Sequence, residues 1–584
     1  METIVGSIGF TIPAQTLASS QEVTMTPGDV MAWRNRLPLA DVGHSAKKIY
    51  HAITDCNKVA LSVQERFEIL ELLRTPVQFI CQSLRKHYIN QTSTLTEQQL
   101  TIANLAQTLQ QEMANGYKLI VEELEKKNDP ESRAKILPIA LQRIIHYLTY
   151  IIHRSYQLYS LAPSNTWKEL HLVYQYADKY QLLNQNGIQN DYKRALLLAA
   201  TYPFQWRQTE QDTLYTITEI WAPLVALRTD LPNVSEPGFL MVDFKDDTPP
   251  MSPSRGLIQF SATCKVLDVN PIIGRLKTLL AAIEPNELQA RIAHSNDPEY
   301  AISTSILRGL IKEWEAPVTR LNDRENRSEQ IKLCIGLIAT HYYVNNRRPF
   351  QTQETNKESG FTFVETTENK PDNADENITS IELDKIPLTA SPSQNISNIN
   401  YPVYPCTLVN ENPNGYGLIW PGDSYPPIQA GEIIGIARTQ NGIDVWEVFK
   451  VRWLQHLSEF HLGVERLGTT AKAGGAQLLK EGKPAGYYLR CLLLEASILV
   501  PTLPFKSGSQ IMVLQDESNA PIELELTQLV DATGSYKRFQ FLSKRAPLTE
   551  APSPPLEKPV IETKAEPKKE NKDKDKFDSV WGNL

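Results

Sequence analysis

The chain has 584 residues, of which 41% are hydrophobic and 22% charged, and a formal net charge of -8 at pH 7. Single hydrophobic cores rarely grow beyond about 250–300 residues, so three or four domains are expected. The mildly acidic balance excludes a general binder of nucleic-acid polymers, which needs a broad basic face, but leaves room for a local arginine cluster that holds a small anion.

The first 37 residues form an N-terminal extension without the basic start and apolar block of a secretory signal. From 38 to 230 the sequence reads as an irregular helical array. Val63–Leu84 and Thr101–Leu124 repeat apolar residues at three- and four-residue steps, and Thr166–Tyr180 and Asp191–Trp206 fit further antiparallel helices. The pairs resemble those of tetratricopeptide-like solenoids, without a clean repeat of about 34 residues. The most apolar run, Ile136–Ile152, is broken by Gln142, Arg143 and His146 and is shorter than the roughly 20 residues of a membrane span, so no membrane insertion is expected.

A mixed α/β connecting segment is predicted over 231–314, with strands at Phe239–Phe244 and Gly256–Phe260 and helices at Pro271–Glu284 and Thr304–Ala316. Ile331–Val344 reads as a strand-like apolar run. Residues 351–398 are too polar to bury enough surface to fold alone and read as a flexible insertion. Short strand candidates separated by turn signals then recur to 475, as in a barrel, and again over 476–545 as a second small β-domain. A Pro-, Lys- and Glu-rich tail, 546–584, ends in an aromatic cluster with Phe577 and Trp581, which reads either as a docking peptide for a protein partner or as an unstructured end. The expected class is multidomain α+β.

Six cysteines, Cys56, Cys81, Cys264, Cys334, Cys406 and Cys491, lie far apart with no CxxC pair, and read as reduced core thiols in a cytoplasm. No GxSxG, HExxH, Walker loop or dinucleotide fingerprint is present, so no enzyme is indicated. His146 and His153 share an apolar helix face, and His456 and His461 flank a predicted turn; all four read as structural residues, with no metal and no cofactor.

Two elements remain, one on each side of the insertion. Arg320 and Arg324 form RxxxR, with Arg327 three residues on; Asn410, Asn412 and Gly415 form NxNxxG directly after the strand candidate Cys406–Val409. The turn alone is adequately explained as a hairpin, because Asn and Gly tolerate positive φ, and arginines in a polar stretch are usually a solvated face. Their order around the strands resembles the PilZ domain, a small β-barrel whose members bind the bacterial second messenger cyclic di-GMP through RxxxR and a later [D/N]xSxxG. GYGL after the turn looks like the family's GGxxL, and Val451–Leu467 looks like its later hairpin; the family serine is Asn412 here.

The resemblance covers about 315–475 and implies a PilZ-like β-barrel after the helical array. It also implies a cyclic di-GMP site at Arg320, Arg324, Arg327, Asn410, Asn412 and Gly415. Planar guanidiniums suit that ligand, since they fork onto phosphate oxygens, pair with guanine O6/N7 or stack on a base. The chain then reads as a cytoplasmic bacterial effector that relays the messenger through its helical region to a protein partner controlling motility, pili or biofilm. The alternative is a non-catalytic scaffold whose degenerate barrel binds no nucleotide.

Overall fold

The computed structural model describes residues 3–90, 95–127, 129–230, 236–252, 263–283, 287–294, 297–315, 324–350, 401–422, 426–515 and 518–543. A hairpin of β1 (Thr3–Val5) and β2 (Thr11–Pro13) leads into α1 (Pro27–Arg34), α2 (Val42–Lys58), α3 (Val63–Arg85) and α4 (Glu97–Lys126). Then follow α5 (Pro130–Gln157), α6 (Thr166–Lys179), α7 (Ile188–Ala200) and α8 (Gln208–Trp221). Ser62 with Glu65 and Thr96 with Gln99 close capping boxes that start α3 and α4 by satisfying their first amide groups.

Ile136–Ile152 lies within α5, which packs against α4, α6, α7 and α8. Among the described residues no helix is long and apolar enough to cross a membrane. The first residues, expected as an extension, are part of this core: Phe10, Ile12, Val30 and Trp33 are buried in it. The Glu122 carboxylate on α4 accepts from Ser7 Oγ at 2.7 Å and Ile8 N at 3.0 Å, and Glu169 on α6 accepts from Thr11 N at 2.9 Å.

His171 on α6 is fully buried, its Nδ1 2.7 Å from the Tyr192 hydroxyl and its Nε2 3.1 Å from the Thr248 carbonyl. Burial pulls its pKa down to about 4 against the opposing pull of that carbonyl, Asp247 and Asp243. The unfolded chain therefore takes up this proton near pH 6.5 and the folded chain only near 4. The stability tied to neutral His171, about 3 kcal/mol, is complete above pH 6.5 and lost as the pH falls to 4. Urea unfolding across that window should show His171→Gln with a stability slope shallower by about one proton; identical slopes would exclude the histidine as a source.

The connecting segment has a three-stranded sheet of β3 (Ala226–Arg228), β4 (Phe239–Asp243) and β5 (Cys264–Asp268), with β5 central, then α9 (Asn270–Ala281). A hairpin, β6 (Gln289–His294) and β7 (Asp297–Ser303), precedes α10 (Thr304–Trp314). The expected strand Gly256–Phe260 lies outside the described residues. α10 is fixed to the helical region: Trp314 Nε1 donates to the Ala200 carbonyl at 2.8 Å, and Gly309 admits the Trp206 ring, which an added Cβ would meet at 2.5 Å.

Among the described residues the next unit comprises β8 (Glu325–Ile335), α11 (Leu337–Val344), β9 (Tyr404–Asn412), β10 (Gly415–Trp420), β11 (Ile433–Gln440), β12 (Ile443–His456) and β13 (Phe460–Gly468). Its strands close into a barrel in the order β10-β13-β12-β11-β8-β9 around Leu333, Leu408, Leu418, Ile436, Phe449 and Leu462. The strand expected over Ile331–Val344 is corrected here. It stops at Ile335, Gly336 at φ 89° turns the chain, and α11 takes the rest of the apolar run. A continuous apolar run carries no period with which to separate strand from buried helix.

A second closed barrel follows, in the order β14-β15-β16-β19-β18-β17. Its strands are β14 (Ala471–Lys480), β15 (Lys483–Leu494), β16 (Ile498–Val500), β17 (Gln510–Gln515), β18 (Ser518–Ala532) and β19 (Lys537–Ser543). β14 is absent from the sequence expectation, and the expected boundary between 475 and 476 falls inside it. Its AKAGGAQLLK is poor in β-formers, but an added Cβ at Gly474 would lie 2.5 Å from the Leu514 carbonyl oxygen, so closeness to β17 favours the small residue. The barrels meet through Ile433, Val448, Leu467, Leu492, Leu499 and Tyr536. The architecture is the multidomain α+β arrangement of a helical array followed by two β-units.

Candidate functional site

β9 and β10 are joined by only Pro413 and Asn414, with Asn412 paired to Gly415 across the hairpin. Asn412 Oδ1 accepts from Asn414 N at 2.9 Å, a side-chain bond that closes the turn. None of residues 410–415 has a positive φ, so the glycine is not there for backbone freedom. A Cβ on Gly415 would lie 2.0 Å from the Val464 carbonyl oxygen of β13, and one on Gly417 would lie 2.6 Å from Asn410 Oδ1. The two glycines let β13 and the buried Asn410 side chain, 3% exposed, approach β10.

Leu408 faces Leu418 across β9 and β10, but Asn410 faces Gly417, which leaves Val409 as an extra residue in a β-bulge. The bulge reverses the in–out alternation beyond it. Glu411, opposite Tyr416 of the barrel core, is thereby turned to the barrel end, while Asn410 and Asn412 take the other face.

β8 runs antiparallel beside β9, with Asn326 paired to Asn410 and Glu325 to Glu411. This pairing brings β8, which carries Arg327, alongside the turn strand across the long intervening stretch. Arg324 is exposed and stands one residue ahead of β8. Arg320 lies outside the described residues. Arg327 is on β8 itself, where its Nε donates to Glu411 Oε1 at 2.7 Å and its Nη2 to Glu325 Oε2 at 2.7 Å.

Three residues absent from the sequence expectation complete this end of the barrel. Glu411 is bonded to Arg438 of β11 as well as to Arg327. Burial works to raise its pKa, but the hydrogen bonds and charges of Arg438 and Arg327 outweigh it and hold the carboxyl below the usual range. Arg438 and Arg466 stand 4.9 and 5.1 Å from the Tyr416 ring centre, two cations on one aromatic. Arg466 also fixes the turn: its backbone N donates to the Asn414 carbonyl at 2.8 Å and its Nη1 to the Pro413 carbonyl at 3.0 Å. Strand alternation carries a signal for both arginines, since each stands two residues past an inward apolar residue, Ile436 or Val464.

The whole end is therefore rich in guanidinium groups held by carboxylates, and it carries amide side chains on a rigid hairpin. Such an arrangement can take an anion by exchanging a carboxylate for a phosphate, and can offer amide donors and acceptors to a base edge. Among the described residues no group of His, Cys, Asp and Glu is arranged to hold a metal ion. All six cysteines are buried as free thiols.

Residues 28–232 match the family described as cyclic-di-GMP receptor FimW, N-terminal domain. Residues 239–473 match its middle PilZ domain, and residues 474–543 the FimW C-terminal beta-barrel domain. A relative, the cyclic-di-GMP receptor FimW of Pseudomonas aeruginosa, is 28% identical over 100% of this chain and 100% of its own length. No solved structure matches the chain. With a PilZ-domain match over 239–473 that contains the β8–β13 barrel, a helical domain matched before it and a second barrel matched after it, the chain belongs to the PilZ-domain proteins of the FimW type.

Proposed function

We propose that the chain is a non-catalytic, cytoplasmic receptor for cyclic di-GMP that relays the messenger's level to a protein partner controlling motility, pili or biofilm formation. The pairing of β8 with β9 supports this reading, because within a PilZ domain it sets Arg327 beside the strand that ends in the Asn410–Gly415 hairpin. The name of the full-length relative supports it.

In this reading Arg320, Arg324 and Arg327 supply guanidiniums to the two phosphates and to the guanine O6/N7 edge, as the chemistry of a dianion with two purines requires. Asn410 and Asn412 offer amide groups to a base, and Gly415 keeps the hairpin close to β13. Arg320 and Arg324 stand in sequence between α10, which is anchored in the helical region through Trp314, and β8 of the barrel, so a ligand held by them links the two regions. The helical region, with the Phe577 and Trp581 segment, presents the surface that the partner reads.

Calorimetric titration of the purified protein with cyclic di-GMP tests this. The parent should bind, and Arg320→Ala/Arg324→Ala should bind at least about 100-fold more weakly, since charge-assisted bonds contribute about 1.5–3 kcal/mol each. No heat from the parent, or equal binding by both, would leave the scaffold reading in its place.

A further inference from the structure

Arg327 is already occupied. A guanidinium forks onto a phosphate through two parallel N–H donors, and both Nε and Nη2 of Arg327 are held at 2.7 Å by carboxylates, Glu411 and Glu325. The two carboxylates differ. Glu325 is 73% exposed, whereas Glu411 is 16% exposed, is pinned from the other side by Arg438, and stands between the two motif asparagines. A bond to an exposed side chain is readily exchanged with water; a charged bond to a carboxylate fixed in place must be broken before the arginine can turn to another anion.

We propose that Glu411 is an internal competitor for the ligand's phosphate: its carboxylate occupies Arg327 in the empty receptor and sets the concentration of cyclic di-GMP at which the site fills. The proposal rests on the receptor reading above and adds its threshold. The bulge at Val409 is what makes it work, because it turns Glu411 to the barrel end while Asn410 and Asn412 keep the other face. Ligand binding then exchanges one anion for another on Arg327 and leaves Glu411 to Arg438, so no charge is left unpaired inside the barrel.

Glu411→Gln keeps an acceptor for Arg438 and removes the charge that holds Arg327. Titrated with cyclic di-GMP by calorimetry, it should bind about tenfold tighter than the parent, because a neutral acceptor holds a guanidinium about half as strongly. Asp444→Asn makes the same charge change on the same barrel, at the Lys332 ion pair, and should leave the affinity unchanged. In an Arg327→Ala background the Glu411→Gln gain should vanish. Should Glu411→Gln melt far below the parent, Glu411→Asp, too short to span both arginines, takes its place with a smaller gain.

Parent-like or weaker binding by a folded Glu411→Gln, a gain that persists without Arg327, or an equal gain in Asp444→Asn would overturn the competitor and leave the receptor reading standing. No binding by the parent or by Glu411→Gln would overturn both.

Discussion

Lys118→Met is expected to cost about 3–5 kcal/mol of stability, the characteristic loss when one partner of a buried ion pair is removed. Lys118 on α4 and Glu169 on α6 are ion-paired with side chains 1% and 7% exposed. Lys118 Nζ also donates to Asn115 Oδ1 at 3.2 Å, and the other Glu169 oxygen accepts from Thr11 N at 2.9 Å. Methionine fills the space but leaves a carboxylate in the core without its cation. The N-terminal hairpin should loosen with it, because Thr11 depends on the same carboxylate. Thermal melting and amide exchange at β2, α4 and α6 measure the effect, and Lys118→Met/Glu169→Gln, which removes the orphaned charge but keeps an acceptor for Thr11, should recover most of it. A single variant that melts with the parent would show that the pair contributes nothing.

That hairpin also marks where the sequence stops being legible. α3, α4, α6 and α7 could be read because each sends apolar residues to one face every three or four positions, and the barrel strands because turn residues punctuate short apolar runs. Nothing local announces that Ser7, Ile8 and Thr11 will be held by Glu122 and Glu169, since those bonds join residues 114 to 158 positions apart. The same reason hid β14, whose glycines are explained by β17, and α11, whose apolar run fits two periods equally until Gly336 turns the chain.

The candidate site was legible in its motif and illegible in its wiring. RxxxR and NxNxxG can be seen in one dimension, whereas the bulge at Val409 is a property of the ladder. Without it, alternation from Leu408 would assign Asn410 and Asn412 to the core face and Glu411 to the outside, the reverse of what the paired strands show. Alternation from Ile436 and Val464 points to Arg438 and Arg466, but it does not say that both side chains converge on Tyr416, which depends on how β10, β11 and β13 are arranged in the barrel.

Gly415→Ala separates the two explanations of the motif glycine, and its expected cost is about 2–4 kcal/mol together with a loss of ligand affinity of at least about tenfold. A methyl group there would sit 2.0 Å from the Val464 carbonyl oxygen, a backbone atom that no rotamer change can move, so β10 must draw away from β13 where Gly415 pairs with Glu465. The displaced strand carries with it the hairpin on which Asn412 sits. Gly442, in the link between β11 and β12, is the control. It has φ 81° and open space around its Cβ position, so Gly442→Ala carries only the strain of a left-handed backbone, about 1 kcal/mol. Paired melts and titrations should therefore rank Gly415→Ala well below Gly442→Ala in both stability and binding. Equal, small losses at the two positions would mean that β13 yields freely, and the glycine would then be an ordinary turn residue with no part in holding the site.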